Sequence, residues 1–203
     1  MPVITISRQF GAGGKTLGKQ VAKQLDYTFA DNQIIQMVAE TANVSPHWVE
    51  SIEKEAGTRL NKIISRMVSR GLIDRVLKDE RGYIDEEIYL DYVIVIISQI
   101  AEEGNVVILG RGSQYILNDH PDAHHILLID DVENRVKFMM DNYDLSRKEA
   151  EKTISNEDRR RLNFYRKLGK KDYDDPALYH LVLNMNRLGM KEAVKTVCNL
   201  VNP

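Results

Sequence analysis

The sequence predicts an α/β fold in which a parallel β-sheet is covered by helices on both faces. Short runs of β-branched and aliphatic residues recur along the chain as continuous apolar stretches, which is typical of strands buried on both faces. Segments with a helical period of apolar residues separate these runs. A chain of 203 residues with 43% hydrophobic composition can build one substantial core, so we expect a single domain over residues 1–203.

The first elements are a strand, a loop and a helix. "VITIS" (Val3 to Ser7) is a short β-branched run, and a glycine-rich stretch follows it. In the next segment, "KTLGKQVAKQL", the apolar positions fall on one helical face. "YTFAD" predicts a short second strand that ends at Asp31, and "NQIIQMVAETA" predicts a helix after it.

A long helical block separates the second strand from the third. At Ser45 an N-cap serine precedes a first-turn proline, which is a helix start. From there to about Glu103 the pattern is almost wholly helical, and its last helix runs from about Glu86 to Glu103 and ends at Gly104. The block is too long for one crossover, so we expect residues 43–103, approximately, to form a helical insert.

The second half continues the alternation. "NVVILGRG" and "HHILLID" predict buried strands, and "DVENRVKFMMDNY" predicts a helix. Ser146 and Glu149 form a capping box at the start of a long basic helix. A polar loop, "GKKDYDDP", leads to a last strand, "YHLVLN", and the amphipathic "MKEAVKTVCNLV" closes the chain as a helix.

Charge and composition exclude several functional classes. The 28 basic and 30 acidic side chains give a formal charge of −2, so no net field attracts nucleic acid. The single cysteine, Cys198, excludes an intrachain disulfide, and the N-terminus lacks a signal-peptide pattern. The longest apolar stretch, "YVIVIISQIA", is too short to span a bilayer. We therefore expect a cytoplasmic protein with small-molecule ligands and neither nucleic-acid nor membrane partners.

The stretch "ISRQFGAGGKT" predicts a phosphate site. A glycine-rich loop that feeds a helix N-terminus aims backbone N–H groups and the helix dipole at an anion. The pattern G-x-x-x-x-G-K-[ST] places Gln9 where its first glycine belongs when it is aligned on Gly14, Lys15 and Thr16. Alignment on "GAG" instead puts Gly14 at the lysine position. The side chain that reaches the phosphates is therefore open, and Arg8 is a further candidate.

Two other interpretations of this loop stay open. Gly11, Gly13 and Thr16 approximate the dinucleotide pattern G-x-G-x-x-G, and acidic Asp31 stands twenty residues after Gly11. Rossmann glycines follow the first strand almost at once, however, whereas "RQF" intervenes here. The other alternative is a left-handed turn without a ligand.

Three further places favour phosphate. Arg111 stands directly after a buried strand, where the sheet would present it to the same crevice; a salt bridge to an internal carboxylate is the alternative. "NEDRRRLNFYRK" carries four arginines that either form a solvated helix face or close over a triphosphate as a lid. Asp31 is either an ordinary N-cap or a group that binds acceptor hydroxyls or positions the nucleophile.

Taken together, these segments resemble the cytidylate kinase-like family. The similarity is carried in order by "ITISRQFGAGGKTLGKQVAKQL", "VVILGRGSQYIL", "NEDRRRLNFY" and "DDPALYHLVLN". The resemblance implies a P-loop NTPase-like sheet with a helical monophosphate-binding insert and a helical lid at about residues 143–175. It also implies transfer of the γ-phosphoryl group of ATP to CMP or a similar monophosphate, with Mg²⁺.

The resemblance also implies roles by position. The donor phosphates would be held by the loop residues Gly11, Ala12, Gly13, Gly14, Lys15 and Thr16, and the Thr16 hydroxyl would reach Mg²⁺. Arg111 would grip the acceptor phosphate, while Asp158 would orient Arg161, which stabilises the transferring charge. Arg135 would be an additional lid-side cation that binds the donor.

The sequence also departs from cytidylate kinases. The first loop glycine is replaced by Gln9, and His180 stands where relatives often have aspartate. A catalytically inactive nucleotide-binding module is therefore the alternative to a kinase.

Overall fold

The protein folds around one five-stranded, fully parallel β-sheet. In the computed structural model, which describes residues 1–31, 86–171 and 174–202, the strand order is β2-β3-β1-β4-β5. The strands are β1 (Val3–Arg8), β2 (Thr28–Ala30), β3 (Val106–Leu109), β4 (Ala123–Ile129) and β5 (Leu181–Asn184). In register, Ile4 pairs with Val107 on one side and with His124 on the other. The predicted parallel sheet is confirmed.

Six helices are described between and after the strands. They are α1 (Gly14–Leu25), α2 (Glu86–Glu103), α3 (Ser113–Ile116), α4 (Val132–Tyr143), α5 (Arg147–Lys167) and α6 (Met190–Val201). A short 3-10 turn, Pro176–Leu178, precedes β5. The predicted capping box is present, because Ser146 and Glu149 satisfy each other's backbone N–H groups at the start of α5.

Helices cover both faces of the sheet. On one face α1 and α6 bury Leu17, Val21 and Val197 against Ile4 and Ile6 of the central strand. On the other, α2 lies against β3 and buries Val93, Ile97 and Ile100 almost completely. This double cover explains why the strands read as unbroken apolar runs.

A second, smaller core lies between two helices beside the site. Helices α4 and α5 pack as a pair around Val136, Met139, Ala150 and Ile154, and Phe10 of the loop after β1 joins this small core.

No helix in the described part of the chain is long and apolar enough to cross a membrane. Residues 32–85 lie outside the described residues, and with them the helices predicted there and most of the predicted insert 43–103. The predicted last helix of the insert, 86–103, is present.

Candidate active site

The parallel sheet brings three predicted side chains to one edge. Because all strands run the same way, their carboxyl ends share an edge, and β1, β2 and β3 end at or just before Arg8, Asp31 and Arg111. The chain leaving β3 stays bonded to β1, since the Gly110 N–H donates to the Ile6 carbonyl at 3.0 Å. The candidate site lies along this edge.

The loop after β1 presents an uncapped helix N-terminus. Gly13 is the N-cap of α1 in a left-handed conformation (φ 78°), and the helix begins at Gly14. No side chain caps its first amide groups, and its first turn carries no acidic residue. The first N–H groups of a helix have no partner within the helix, and the helix dipole adds positive potential there. This terminus is suited to an anion.

Gln9 holds the loop to the neighbouring strand. Its backbone N–H donates to the Leu128 carbonyl at 3.0 Å, and its side-chain Oε1 accepts from the Asp130 N–H at 2.9 Å. Gln9, which stands at the first-glycine position of the Walker pattern when that pattern is aligned on Gly14, therefore has a structural task, namely to anchor the loop to the end of β4.

A cavity of about 440 Å³ opens over the loop, and we call it the loop cavity. Its wall includes Gly11, Gly13, Gly14, Lys15, Thr16, Arg8, Asp31, Phe138 and Tyr143. Lys15 Nζ lies 2.8 Å from Asp31 Oδ2, and the lysine side chain is 44% exposed while the aspartate is 10% exposed. The volume falls within the usual range of small-molecule sites.

A second cavity of about 260 Å³ adjoins the first, and we call it the arginine cavity. Four arginines and one carboxylate contribute to its wall, namely Arg8, Arg111, Arg160, Arg161 and Glu157, beside Phe10, Phe164 and Tyr165. The two cavities share Arg8, Phe10 and Glu157, so they are neighbouring compartments of one crevice.

Arg111 enters the arginine cavity from a strained turn. Gly110, Arg111 and Gly112 are three consecutive left-handed residues, with φ values of 76°, 55° and 67°. A left-handed conformation is rare and unfavourable for arginine, and such outliers cluster at functional sites. The guanidinium carbon lies 5.9 Å from the centre of the Phe164 ring, within cation–π range.

Arg161 is fixed by a two-pronged ion pair. Its Nη1 and Nη2 both donate to Asp174, each at 2.7 Å. Burial by itself lowers the pKa of Arg161, but the hydrogen bonds and the charge of Asp174 outweigh it and raise the pKa above its ordinary value. Arg161 is therefore a fixed cation at the cavity wall.

Arg135 and Asp158 lie behind the glycine loop. Arg135 Nη1 is 2.7 Å from Asp158 Oδ2 and donates to the Phe10 carbonyl at 3.2 Å, while the Phe10 N–H donates to Asp158 Oδ1 at 3.0 Å. A Cβ on Gly11 would lie 3.0 Å from Arg135 Cβ, so the loop rests directly on this helix. The ion pair hydrogen-bonds both the N–H and the carbonyl of Phe10 and so links α4 and α5 to the loop.

The predicted site residues thus fall into two groups. Most of them line one of the two cavities: Gly11, Gly13, Gly14, Lys15, Thr16, Asp31, Arg111 and Arg161. The other three line neither cavity: Ala12 is a loop residue buried in the main core, and Arg135 and Asp158 support the loop from behind.

Arg8 is the residue to which sequence reasoning gave too little weight. It stands on the wall of both cavities. Its position as the last residue of the first strand was the signal that pointed to it. Within the described ranges, no cluster of three or more His, Cys, Asp or Glu side chains is placed to hold a metal ion.

Solved structures with the same architecture define the class of this fold. An uncharacterized protein from Eubacterium ventriosum superimposes with a TM-score of 0.68 at 17% identity, over 99% of this chain and 98% of the other. A shikimate kinase from Bacteroides thetaiotaomicron gives 0.53 at 16% identity, over 100% and 99% of the two chains. A gluconokinase from Sinorhizobium meliloti gives 0.51 at 11% identity, over 99% and 91%. At such identities the likeness shows the fold alone, which is that of the P-loop kinases.

The sequence narrows this class to a family. The profile of the cytidylate kinase-like family matches residues 3–187, so the chain belongs to that family. No curated protein has a sequence that matches significantly. Family and fold together support a P-loop kinase of nucleotides or small molecules.

Proposed function

We propose that this protein transfers the γ-phosphoryl group of ATP to a nucleoside monophosphate, CMP or a similar small phosphate acceptor, with Mg²⁺. The observation that carries the proposal is the pair of adjoining cavities, one over a helix N-terminus and one lined by four arginines. Phosphoryl transfer needs a donor and an acceptor in line with cations around the moving group. Two phosphate sites with a shared wall meet that requirement.

The loop cavity fits the donor. Its uncapped amide groups and Lys15 would hold the β and γ phosphates, and Mg²⁺ would neutralise their charge when bound. Mg²⁺ in kinases is held by few protein groups plus the substrate phosphates, and the Thr16 hydroxyl on this wall is a suitable oxygen donor. Phe138 and Tyr143 give the cavity an apolar side that suits a nucleoside.

The arginine cavity fits an acceptor that carries a phosphate. Arg111 is on its wall, and its planar guanidinium group can match two phosphate oxygens at once, while Arg161, paired with Asp174, adds a fixed cation beside it. Glu157 is the acidic residue on its wall, and it lies 2.6 Å from Arg160. A dianionic monophosphate balances this charge better than an acceptor with a single carboxylate does.

The chain's own groups act by position. Arg111 would hold the acceptor phosphate, Arg161 would stabilise charge on the transferring group, and Asp31 would receive or orient an acceptor hydroxyl. Asp158 was predicted to orient Arg161, but its ion pair is with Arg135, and Arg161 pairs with Asp174. Asp158 would therefore act through the loop, because it accepts a hydrogen bond from the Phe10 N–H. The predicted lid at about residues 143–175, which includes α5, would move to exclude water. The chain has a single cysteine, Cys198, which is buried, and we propose the cytoplasm as the location because disulfides are rare there.

A coupled ADP-release assay over a panel of nucleoside monophosphates tests the proposal. We expect turnover with at least one monophosphate, and Arg111→Ala and Lys15→Ala should each lower kcat/KM at least about 100-fold. Arg147→Ala is the matched control, because Arg147 is an exposed arginine on α5 whose partners are Glu133 and Glu151. Tight ATP binding without turnover on any acceptor would instead support a nucleotide-binding module, and no ATP binding would refute the donor site.

A further inference from the structure

Arg8 occupies the space that a side chain at position 14 would need. A Cβ built on Gly14 would lie 3.0 Å from Arg8 Cγ and 3.2 Å from Arg8 Cδ. Both distances are shorter than ordinary contacts between such carbons. The arginine stem therefore fills the place where the first side chain of α1 would leave the helix.

The backbone settles how the loop aligns with the Walker pattern. Gly13 is the left-handed N-cap, a conformation that favours glycine, and the next residue is the first of the helix. Aligned on this glycine, position 14 takes the place of the lysine in G-K-[ST], and this chain has glycine there. Lys15 then stands at the Ser/Thr position and Thr16 one place beyond the pattern, and the Lys15 Nζ lies 2.8 Å from Asp31 Oδ2.

The surroundings of Arg8 are those of an anion site. Arg8 is on the wall of both cavities. Burial lowers the pKa of its guanidinium, and the nearby charges of Arg161 and Arg111 lower it further, although Tyr165 and Glu157 act in the opposite direction. The guanidinium groups of Arg8, Arg111 and Arg161 repel one another in this partly buried place. Asp174 offsets the charge of Arg161, and an anion bound beside Arg8 and Arg111 relieves the repulsion that remains.

We propose that Arg8 supplies the phosphate-facing cation of the loop in place of the lysine that position 14 lacks. This inference rests on the proposed function, because it assigns a residue to the donor phosphates. The stem of Arg8 lies beside Gly14, and Arg8 is on the wall of both the donor and the acceptor compartment. An arginine can bind two phosphate oxygens at once, whereas a lysine is a point charge. Arg8 can thus bridge the donor and acceptor phosphates.

A charge exchange between positions 8 and 14 tests this. MgATP affinity is measured by calorimetry for the wild type, Arg8→Gly, Gly14→Lys and the double variant Arg8→Gly/Gly14→Lys. We expect Arg8→Gly to weaken binding about 10- to 100-fold, since it removes a charge-assisted contact. Gly14→Lys alone should also weaken binding, because its Cβ meets the Arg8 stem. The double variant should recover most of the lost affinity.

Further variants keep the test decisive. Arg8→Lys keeps the charge and should bind MgATP more tightly than Arg8→Gln does. The melting temperature of Arg8→Gln serves as the check on folding. Unchanged MgATP affinity in Arg8→Gly would overturn the inference, and so would a double variant that binds MgATP no more tightly than Arg8→Gly. The proposed function would stand in either case, provided that the wild type binds ATP. A wild type that binds no ATP would instead remove the proposed function and this inference together.

Discussion

Arg135 and Asp158 form an ion pair of 2.7 Å that lies behind the glycine loop and binds both polar groups of Phe10. The arginine side chain is 8% exposed and the carboxylate 27%. A cation at this depth needs its partner, since an unpaired buried charge is strongly unfavourable. The pair therefore connects the stability of the α4–α5 hairpin to the shape of the phosphate loop.

Asp158→Ala should lower the free energy of unfolding by about 2 kcal/mol, because it leaves Arg135 buried without its carboxylate partner. Glu133→Ala is the matched control: it also removes a carboxylate 2.7 Å from an arginine, but both side chains there are more than half exposed. Its effect should stay below about 1 kcal/mol. Urea unfolding measures both. Equal losses in the two variants would show that burial of the pair contributes nothing.

Arg111→Gly should be more stable than Arg111→Ala by about 1 kcal/mol, although neither should transfer phosphate. Both substitutions remove the guanidinium, but only glycine takes up φ 55° without strain. Thermal unfolding gives the stability difference and the ADP-release assay gives the activity. An alanine variant as stable as the glycine variant would mean that the turn stores no strain.

Asp31→Asn should have opposite effects on the binding of ATP and on the binding of the acceptor. The ion pair at 2.8 Å makes Asp31 a competitor of phosphate for Lys15 in the free protein. Removal of its charge should therefore tighten ATP binding several-fold, about what a partly exposed ion pair contributes. The KM of the acceptor should rise in the same variant, because the proposed contact with its hydroxyl is weakened. If both affinities move in the same direction, Asp31 does not divide its contacts in this way.

His125 should make the protein sensitive to acid. Burial is the main cause that lowers the pKa of His125 to about 4, and nearby His180 and His124 lower it further. Its Nδ1 lies 2.8 Å from the Thr5 hydroxyl. The unfolded chain binds the proton near pH 6.5 and the folded chain only near pH 4, so stability is complete above 6.5 and falls as the pH drops.

Linkage between these values predicts a loss of about 2 kcal/mol at pH 5 and about 3 kcal/mol at pH 4 from this group. Urea unfolding at pH 7, 6 and 5 measures it, with His125→Gln as the variant that cannot titrate. The difference in stability between wild type and variant should shrink as the pH falls. A constant difference would place the folded-state pKa of His125 near its ordinary value.

Most of the described strands and helices could be predicted from the sequence, because each of them has a local sequence pattern. A continuous β-branched run marks β1, an apolar period of 3.6 marks α1, and the capping box marks the start of α5. The parallel arrangement then places Arg8, Asp31 and Arg111 on one edge without further information. The short helix α3 escaped prediction, since four residues are too few to show a period.

The contacts behind the loop could not be predicted. That Arg8 lies beside Gly14 depends on the left-handed turns at Gly11 and Gly13, which fold the chain back on itself. Asp158 and Phe10 are 148 residues apart, and only the packing of α5 on the loop brings them together. The partner of Arg161, Asp174, takes a left-handed conformation that nothing in "KKDYDDP" announces.

The proposed reaction requires that the loop cavity and the arginine cavity are two halves of one phosphate site. Binding of adenosine and cytidine joined by a chain of five phosphates tests this most directly, with the same chain between two adenosines as a check on the base. We predict one molecule per chain, displacement of ATP, and an affinity at least about 100-fold above that of ATP, because the second contact becomes intramolecular. Affinities no greater than that of ATP for both compounds would contradict it.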